Sequence, residues 1–278
     1  MKELIVRGIS GAIYVMLLIG SLYAQDALTA LLAVFGIVSL AELSKLIRLR
    51  SFVQYIIFLL LYSGFWYFSV KNEHVAISDE AIKVLLVVTI FVNLILTKDL
   101  FTSKRIPLFN SKKFIVSTFY LTSGFIFLLL IANHAIDSTE SQFRPLLLLG
   151  GLILVWVNDS AAYFVGKNFG KQKLFPSVSP KKTVEGFLGG LFFACISSYF
   201  IATYTNTLGS TSWLILAIIV SVFGTLGDLI ESKFKRQAGV KDSGVIMPGH
   251  GGLLDRLDSI IFAAPFIYLF LRILSYVS

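Results

Sequence analysis

The densest group of ionisable residues in the chain lies between positions 227 and 258. Three of its carboxylates, Asp228, Asp255 and Asp258, lie at the ends of long apolar runs. A charged residue at the centre of a bilayer costs ~2.5–3.5 kcal/mol on insertion scales, so such a residue normally faces a cavity, a charged partner or a metal ion. Carboxylates that converge from two helices suit Mg²⁺, which also takes water and phosphate oxygens. The cluster therefore favours chemistry on phosphates, with helix capping and ion pairing as the alternative.

A glycine-rich segment lies directly before the second pair of these carboxylates. Gly251 and Gly252 allow the backbone to turn tightly and to approach a ligand, and free N–H groups before a helix start attract anions. Lys241 and Arg256 flank the segment, which is therefore a candidate phosphate cradle or, alternatively, only a turn. His250 is a candidate for three roles: a general acid, a hydrogen-bond donor to a phosphate, or a residue that fixes the loop by a hydrogen bond.

A second polar group precedes this cluster in the chain. Asn158 and Asp159 lie inside an apolar run, so Asp159 is expected to face a polar interior. Ser179, Lys181 and Lys182 follow in a basic connection, at the predicted opening of the next helix. These lysines are candidates for binding phosphates, or they serve only as topology signals.

Membrane-spanning helices are the elements that would position these residues. Of the 278 residues, 56% are hydrophobic and only 14% are charged, against about 45–50% and about 25% in soluble proteins. This composition excludes an ordinary soluble domain and a disordered chain.

The apolar runs are continuous rather than alternating, which disfavours a transmembrane β-barrel. Nine runs have a length near the ~20 residues that a membrane helix needs: Leu4–Tyr23, Ala27–Ile47, Phe52–Val70, Ala81–Thr97, Phe114–Ala132, Pro145–Val165, Val184–Tyr204, Trp213–Ile230 and Leu257–Val277.

The distribution of Lys and Arg predicts the orientation of these spans. With nine spans, 20 of the 24 Lys and Arg residues fall on the side of the N-terminus, and cytoplasmic loops carry such an excess. We therefore expect a cytoplasmic N-terminus and an external C-terminus. Residues 1–140 would form an N-terminal region of about five spans. Residues 141–278 would form a catalytic region of four spans with two cytoplasmic loops, 166–183 and 231–256. Thr183, just before the seventh span, is a candidate N-cap.

The C-terminal cluster resembles the signature of the CDP-diacylglycerol synthase family, also called phosphatidate cytidylyltransferase. The resemblance covers 27 positions, from Ser232 to Asp258, and includes the sequences Lys-Asp at 241–242 and His-Gly-Gly at 250–252. Met247 stands where the family usually has Leu, Ile or Phe. The region from Asn158 to Gly186 also looks like a second shared region of that family.

The resemblance implies an integral membrane enzyme that makes CDP-diacylglycerol and pyrophosphate from CTP and phosphatidate. It also implies Mg²⁺ held by Asp228 and Asp255, with a monovalent cation such as K⁺ as a further candidate, and a homodimer. The expected site is on the cytoplasmic border of the inner membrane of the cell, with no role for nucleic acid. The candidate catalytic residues are Asp228, Lys235, Arg236, Lys241, Asp242, His250, Asp255, Arg256 and Asp258. The candidate substrate-binding residues are Asn158, Asp159, Ser179, Lys181, Lys182, Ser232, Gly251 and Gly252.

A transporter for a small anionic or phosphorylated substrate is the alternative, because polar residues within spans, such as Asn93 and Asp159, also line transport paths. The polar groups crowd at one face, however, and nine spans do not divide into two equal repeats. The sequence therefore favours the enzyme.

Overall fold

A computed structural model describes residues 2–71, 76–102, 105–134, 143–249 and 251–277. Within these ranges the chain forms nine helices and one short hairpin. The helices are α1 (Lys2–Ser21), α2 (Gln25–Leu46), α3 (Val53–Lys71), α4 (Ala76–Phe101), α5 (Asn110–Ala132), α6 (Pro145–Phe169), α7 (Val184–Thr205), α8 (Ser210–Ala238) and α9 (Leu254–Val277). The hairpin pairs β1 (Lys173–Phe175) with β2 (Ser179–Thr183) in antiparallel register.

The expected all-α polytopic membrane fold is confirmed. Eight helices, α2 to α9, are long and apolar enough to cross a membrane, while the apolar part of α1, Val6–Ser21, is shorter. Helix α3 ends with a π-helical turn, Trp66–Lys71, and α5 contains one in its interior, Ser117–Thr122. In their apolar windows, 83% of α5 and 72% of α9 is buried, against 22% of α3. The bundle is therefore built around α5 and α9, with α3 at its lipid-facing edge.

The eighth span extends further than the sequence suggested. Residues 231–256 were expected to form a loop, but α8 continues to Ala238, where Gly239 adopts a left-handed conformation at φ 78°. Glu231 and Lys235 form an i,i+4 ion pair on this extension, which stabilises a helix. Lys233 also donates hydrogen bonds to the carbonyl oxygens of Leu100, at 3.2 Å, and of Thr102, at 2.8 Å. The charged residues 231–236 thus lie on a rigid helix rather than in a loop.

The other predicted loop, 166–183, also contains regular structure. The basic residues that were expected to open the seventh helix instead form strand β2, which pairs Thr183 with Lys173 and Ser179 with Phe175. The prediction of Thr183 as an N-cap is confirmed, because its hydroxyl accepts a hydrogen bond from the Gly186 N–H at 3.1 Å. The hairpin therefore delivers its lysines directly to the start of α7.

Helices α8 and α9 approach each other closely near the charged cluster. At Gly227 an added Cβ would lie 2.6 Å from the Phe262 Cβ and 2.7 Å from the Asp258 carbonyl oxygen. A side chain of any size would separate the two backbones at this point. Gly227 therefore lets α8 bring Asp228 next to the first turns of α9.

Candidate active site

A cavity of about 770 Å³ lies where the ends of α6, α8 and α9 meet the β-hairpin. It opens at the end of the bundle that carries the basic connections. Its charged and amide lining residues are Asn158, Asp159, Lys167, Lys173, Lys181, Lys182, Asp228, Lys235, Asp242, Asp255, Arg256 and Asp258. The structure thus brings both polar groups found in the sequence into one cavity.

Asp228 is held by groups from two elements. Its Oδ2 lies 2.5 Å from the Lys182 Nζ of β2, and its Oδ1 accepts a hydrogen bond from the Ser232 hydroxyl at 3.2 Å. Burial alone would lower the pKa of the Lys182 ammonium, but the Asp228 carboxylate more than reverses this effect and raises that pKa above its ordinary value. Lys182 therefore stays charged throughout the neutral pH range.

Asp255 is held more rigidly than Asp228. Its carboxylate forms an ion pair with Lys235, at 2.7 Å, and accepts hydrogen bonds from the N–H groups of Ser243, at 2.9 Å, and Gly252, at 2.7 Å. Lys235 also forms an ion pair with Glu231, whose side chain is fully buried. Lys235 therefore links two carboxylates, one from α8 and one from the first turn of α9.

Three further polar residues, two of them buried, line the cavity. Asp258 is buried at 6% exposure, and its carboxylate accepts a hydrogen bond from the Ser259 N–H at 2.7 Å. On α6, the Asn158 amide donates to the Asp159 carboxylate at 3.3 Å. Among the described residues, the buried Asn158 Oδ1 has no hydrogen-bond partner. This oxygen faces α7, where a Cβ at Gly190 would lie 2.8 Å from it, so it belongs to the close contact between α6 and α7.

Charge is divided between the depth and the rim of the cavity. The Asp255 and Asp258 carboxylates of α9 are buried in its depth, and Asp228 of α8 is partly buried. Lys167, Lys173 and Lys181 are exposed at its mouth, and two further carboxylates of the lining, Asp159 and Asp242, are also exposed. The rim can attract and neutralise a polyphosphate, since lysine ammonium groups bind phosphate oxygens as point charges. The deep carboxylates have the oxygen atoms that a hard divalent cation prefers.

The donor set of the cavity fits Mg²⁺ through Asp228 and Asp255, the two carboxylates predicted as ligands. The described residues contain no group of three acidic, histidine or cysteine side chains arranged as a complete metal centre. A magnesium site at these two carboxylates would therefore need water and substrate phosphates as its remaining ligands. Lys182 and Lys235 currently neutralise these two carboxylates.

Several predicted residues lie beside the cavity rather than in its wall. Ser232 and Gly252 act through Asp228 and Asp255, to which they donate hydrogen bonds. The Arg236 guanidinium donates to the Val240 carbonyl at 3.1 Å, beyond the end of α8. The residues that do not line the cavity are Ser179, Ser232, Arg236, Lys241, Gly251 and Gly252. His250, a predicted catalytic residue, lies outside the described residues.

The structure adds residues that the sequence reasoning missed. Lys167 and Lys173 lie in the cavity wall, and their basic connection was the available signal. Glu42 of α2 contacts the segment before α9 through hydrogen bonds to the Leu253 and Leu254 N–H groups. Glu42 is an acidic residue within an apolar run, so the rule that singled out Asp159 would also have found it.

Comparison with known proteins identifies relatives of the chain. The model of the cytidylyltransferase family matches residues 5–274. A phosphatidate cytidylyltransferase of Bacillus subtilis (strain 168) is 35% identical over 283 aligned positions, which cover 99% of both chains. A protein of the same name from Staphylococcus aureus (strain COL) is 40% identical over 184 positions, 64% of this chain and 65% of the relative. A third, from Staphylococcus saprophyticus, is 39% identical over 180 positions, again 64% of this chain and 65% of the relative.

Proposed function

Because this chain belongs to the cytidylyltransferase family, we propose that its cavity is the site at which CMP is transferred from CTP to phosphatidate. The products are CDP-diacylglycerol and pyrophosphate. The enzyme is a multi-pass membrane protein of phospholipid biosynthesis, and its two substrates are a soluble nucleotide and a lipid.

The observation that carries this proposal is the division of charge in a cavity at the end of a membrane helix bundle. An exposed basic rim, formed by Lys167, Lys173 and Lys181, suits the triphosphate of a nucleotide that arrives from water. The acidic depth, with Asp228 and Asp255, lies within the helices that cross the bilayer. A lipid phosphate and a soluble triphosphate can therefore meet in this cavity.

The reaction is an in-line displacement at phosphorus. A phosphatidate oxygen forms a bond to the α-phosphorus of CTP, while the bond from that phosphorus to the bridging oxygen of the β-phosphate breaks. The electron pair leaves with pyrophosphate. Phosphatidate is already ionised at neutral pH, so no general base is required, and catalysis depends on positioning and charge neutralisation.

The lysines of the cavity supply part of that neutralisation. Lys182 and Lys235 lie directly beside Asp228 and Asp255, so their ammonium groups are placed next to the proposed metal site, where they can neutralise phosphate oxygens. Arg256, which is exposed in the first turn of α9, is placed to contact the lipid or nucleotide phosphate.

The proposal includes Mg²⁺ held through Asp228 and Asp255. When bound, the ion would neutralise charge on the phosphates and on the departing pyrophosphate. A monovalent cation such as K⁺ and a homodimer, both implied by the family resemblance, are also part of the proposal. The proposed location is the cytoplasmic membrane, with the cavity open to the cytoplasm, because CTP is a cytosolic nucleotide.

Product formation in detergent separates this function from the alternative transporter. The purified protein in micelles, given labelled CTP and phosphatidate with Mg²⁺, should form labelled CDP-diacylglycerol and release pyrophosphate. EDTA should stop the reaction, and added Mg²⁺ should restore it. A micelle does not separate two aqueous compartments, so a transporter would give no signal in this assay, whereas the enzyme would give product. Absence of product under these conditions would contradict the proposed activity.

A further inference from the structure

The side chain of Glu42 joins the N-terminal half of the chain to the segment that carries the proposed site. Glu42 lies on α2, is only 2% exposed, and is separated from Leu254 by more than 200 positions in sequence. Its carboxylate accepts hydrogen bonds from the N–H groups of Leu253, at 3.1 Å, and Leu254, at 2.7 Å. It also accepts a hydrogen bond from the Ser243 hydroxyl at 3.3 Å.

These contacts supply a cap that the start of α9 lacks in its own sequence. The first N–H groups of a helix need acceptors from outside the helix, and the usual cap is a Ser, Thr, Asp or Asn side chain directly before it. The residue before α9 is Leu253, whose side chain cannot accept a hydrogen bond. Glu42 takes this role from another helix, and its negative charge is favourable at a helix N-terminus.

The position of Glu42 on its own helix makes a purely local role unfavourable. Glu42 lies near the C-terminal end of α2, which ends at Leu46. An acidic residue there faces the negative end of the helix dipole. Its energetic benefit therefore comes from α9 and from the segment that precedes α9.

The backbone around Glu42 is fitted closely to its carboxylate. A Cβ at Gly244 would lie 2.2 Å from the Glu42 Oε1, and a Cβ at Gly252 would lie 2.7 Å from the same atom. The absence of side chains at these two positions lets the segment wrap around the carboxylate. Gly252 was predicted to bind phosphate. The close approach to Glu42 explains, independently of phosphate binding, why a residue without a side chain stands at this position.

The same segment holds Asp255 from its other side. Ser243 donates its hydroxyl to Glu42 and its N–H to Asp255. Gly252 donates its N–H to Asp255, and the next residue, Leu253, donates to Glu42. Both ends of this segment, at Ser243 and at Gly252–Leu253, are therefore fixed between a carboxylate of α2 and a carboxylate of the cavity.

We propose that Glu42 is a positioning residue of the nucleotidyl-transfer reaction. It contacts neither substrate; it fixes Ser243 and residues 252–254 so that Asp255 and Lys235 keep the geometry needed for transfer. This inference rests on the proposed function of the cavity. Displacements of about 1 Å in such a group can cost about 100-fold in rate.

The test compares Glu42→Gln with wild type and with Ser39→Ala. The glutamine keeps the size of the side chain, but one of its two terminal atoms becomes a donor that faces the donors of the segment. We expect kcat to fall at least about tenfold, with KM for CTP changed less, because the exposed lysine rim is left in place. Ser39 is fully buried on the same helix, and Ser39→Ala is expected to leave kcat near the wild-type value.

Hydrogen–deuterium exchange provides a second readout that does not depend on activity. In Glu42→Gln, peptides that cover residues 241–255 should exchange faster, whereas peptides from α5 should exchange as in wild type. Ser243→Ala, which removes one of the three hydrogen bonds to Glu42, should show the same local effect to a smaller extent.

Three outcomes would overturn the proposal. Unchanged kcat in Glu42→Gln would do so, as would unchanged exchange at residues 241–255. A loss of activity matched by faster exchange throughout the bundle would assign Glu42 to global stability instead. If Glu42→Gln does not fold, Ser243→Ala alone decides between local and global effects. Absence of product from the wild-type protein would instead count against the proposed function, while the exchange result would still test the positioning contact.

Discussion

Asp228 and Asp255 are the same residue type in two different surroundings. Asp228 pairs with Lys182; the Asp228 side chain is 30% exposed and the Lys182 side chain is 27% exposed. Asp255 has an 8% exposed side chain, pairs with Lys235 and accepts two backbone N–H groups. A partly exposed ion pair contributes only ~0–1 kcal/mol to stability, whereas breaking a buried one costs ~3–5 kcal/mol. The two residues should therefore respond differently to the loss of charge.

Asp228→Asn should abolish transfer while leaving the fold intact. Asparagine has nearly the same size as aspartate, and only the weak ion pair with Lys182 is lost. We expect the rate to fall roughly 10³-fold, because a metal ion at this position would contribute several kcal/mol and each ~1.4 kcal/mol is a factor of ten. CDP-diacylglycerol formation should be measured against Mg²⁺ concentration, together with thermal unfolding in detergent. Near-normal turnover at saturating Mg²⁺ would remove Asp228 from the site.

Asp255→Asn should reduce both activity and stability. The substitution leaves the buried Lys235 with a weaker partner and turns an amide donor toward the N–H groups of Ser243 or Gly252. We expect a loss of ~2–4 kcal/mol in the free energy of unfolding together with a rate loss like that of Asp228→Asn. The matched control is Asp26→Asn, because Asp26 is an exposed carboxylate at the opposite end of the bundle. This control should change neither the free energy of unfolding nor the rate of transfer. Equal melting temperatures for Asp255→Asn and wild type would contradict the rigid anchoring of Asp255.

Lys181 and Lys182 are adjacent in sequence but differ in role. Lys182 is ion-paired with Asp228, whereas Lys181 is exposed at the rim. Lys182→Met should lower kcat at least about tenfold, because a fixed charge in the cavity is lost. Lys181→Met should mainly raise KM for CTP, by about two- to fivefold, because it removes one exposed charge that attracts the triphosphate. Steady-state kinetics at two salt concentrations will distinguish the effects of the two substitutions. Identical changes of kcat and KM in both variants would contradict the assignment of different roles to Lys181 and Lys182.

The packing of α8 against α9 sets the distance between the two halves of the site. Gly227→Ala places a methyl group against the Phe262 Cβ and the Asp258 carbonyl, so the helices must separate. We expect a loss of ~1–3 kcal/mol in stability and a lower kcat. Gly224→Ala is the matched control, one turn earlier on the same face, where the new Cβ would lie 3.5 Å from the Ser259 Cβ in ordinary contact. Equal melting temperatures and activities for the two variants would show that the close approach at Gly227 is unimportant.

The sequence predicts the helices better than their ends. Apolar run length locates the spans because backbone groups within a bilayer must be satisfied inside a helix. It does not report how far a helix continues into water, so the extension of α8 to Ala238 was missed. That extension depends on tertiary contacts, such as the hydrogen bonds from Lys233 to the Leu100 carbonyl in α4 and to the Thr102 carbonyl just after it. The hairpin was missed for a similar reason, since its second strand contains Pro180 and has little strand character of its own.

At the scale of the whole molecule, the charge count correctly groups the connections by side. Lys113 donates to the Arg48 carbonyl at 3.1 Å, so two connections predicted to share the basic side are in contact. At the opposite end, Arg272 pairs with Asp79 at 2.6 Å. The contribution of α2 to the site could not be predicted, because the pairing of Glu42 with residues 243–254 depends on how the helices pack and not on their composition.

The absolute orientation of the bundle is the final prediction, and cysteine labelling can test it. The chain has a single cysteine, Cys195, which is half-buried within α7, so Cys195→Ser should give a cysteine-free background with little structural change. Single cysteines should then replace Tyr23 and Val245, both highly exposed and at opposite ends of the bundle.

In intact cells a membrane-impermeant maleimide should label the cysteine at position 23 and not the one at 245. After permeabilisation both should react, which controls for accessibility. The expectation follows from the 20 of 24 Lys and Arg residues on the side of residue 245, since basic loops stay in the cytoplasm. The same orientation gives the cavity access to cytosolic CTP. Labelling of position 245 in intact cells would show that the bundle has the opposite orientation. Cytosolic CTP could then not reach the proposed site.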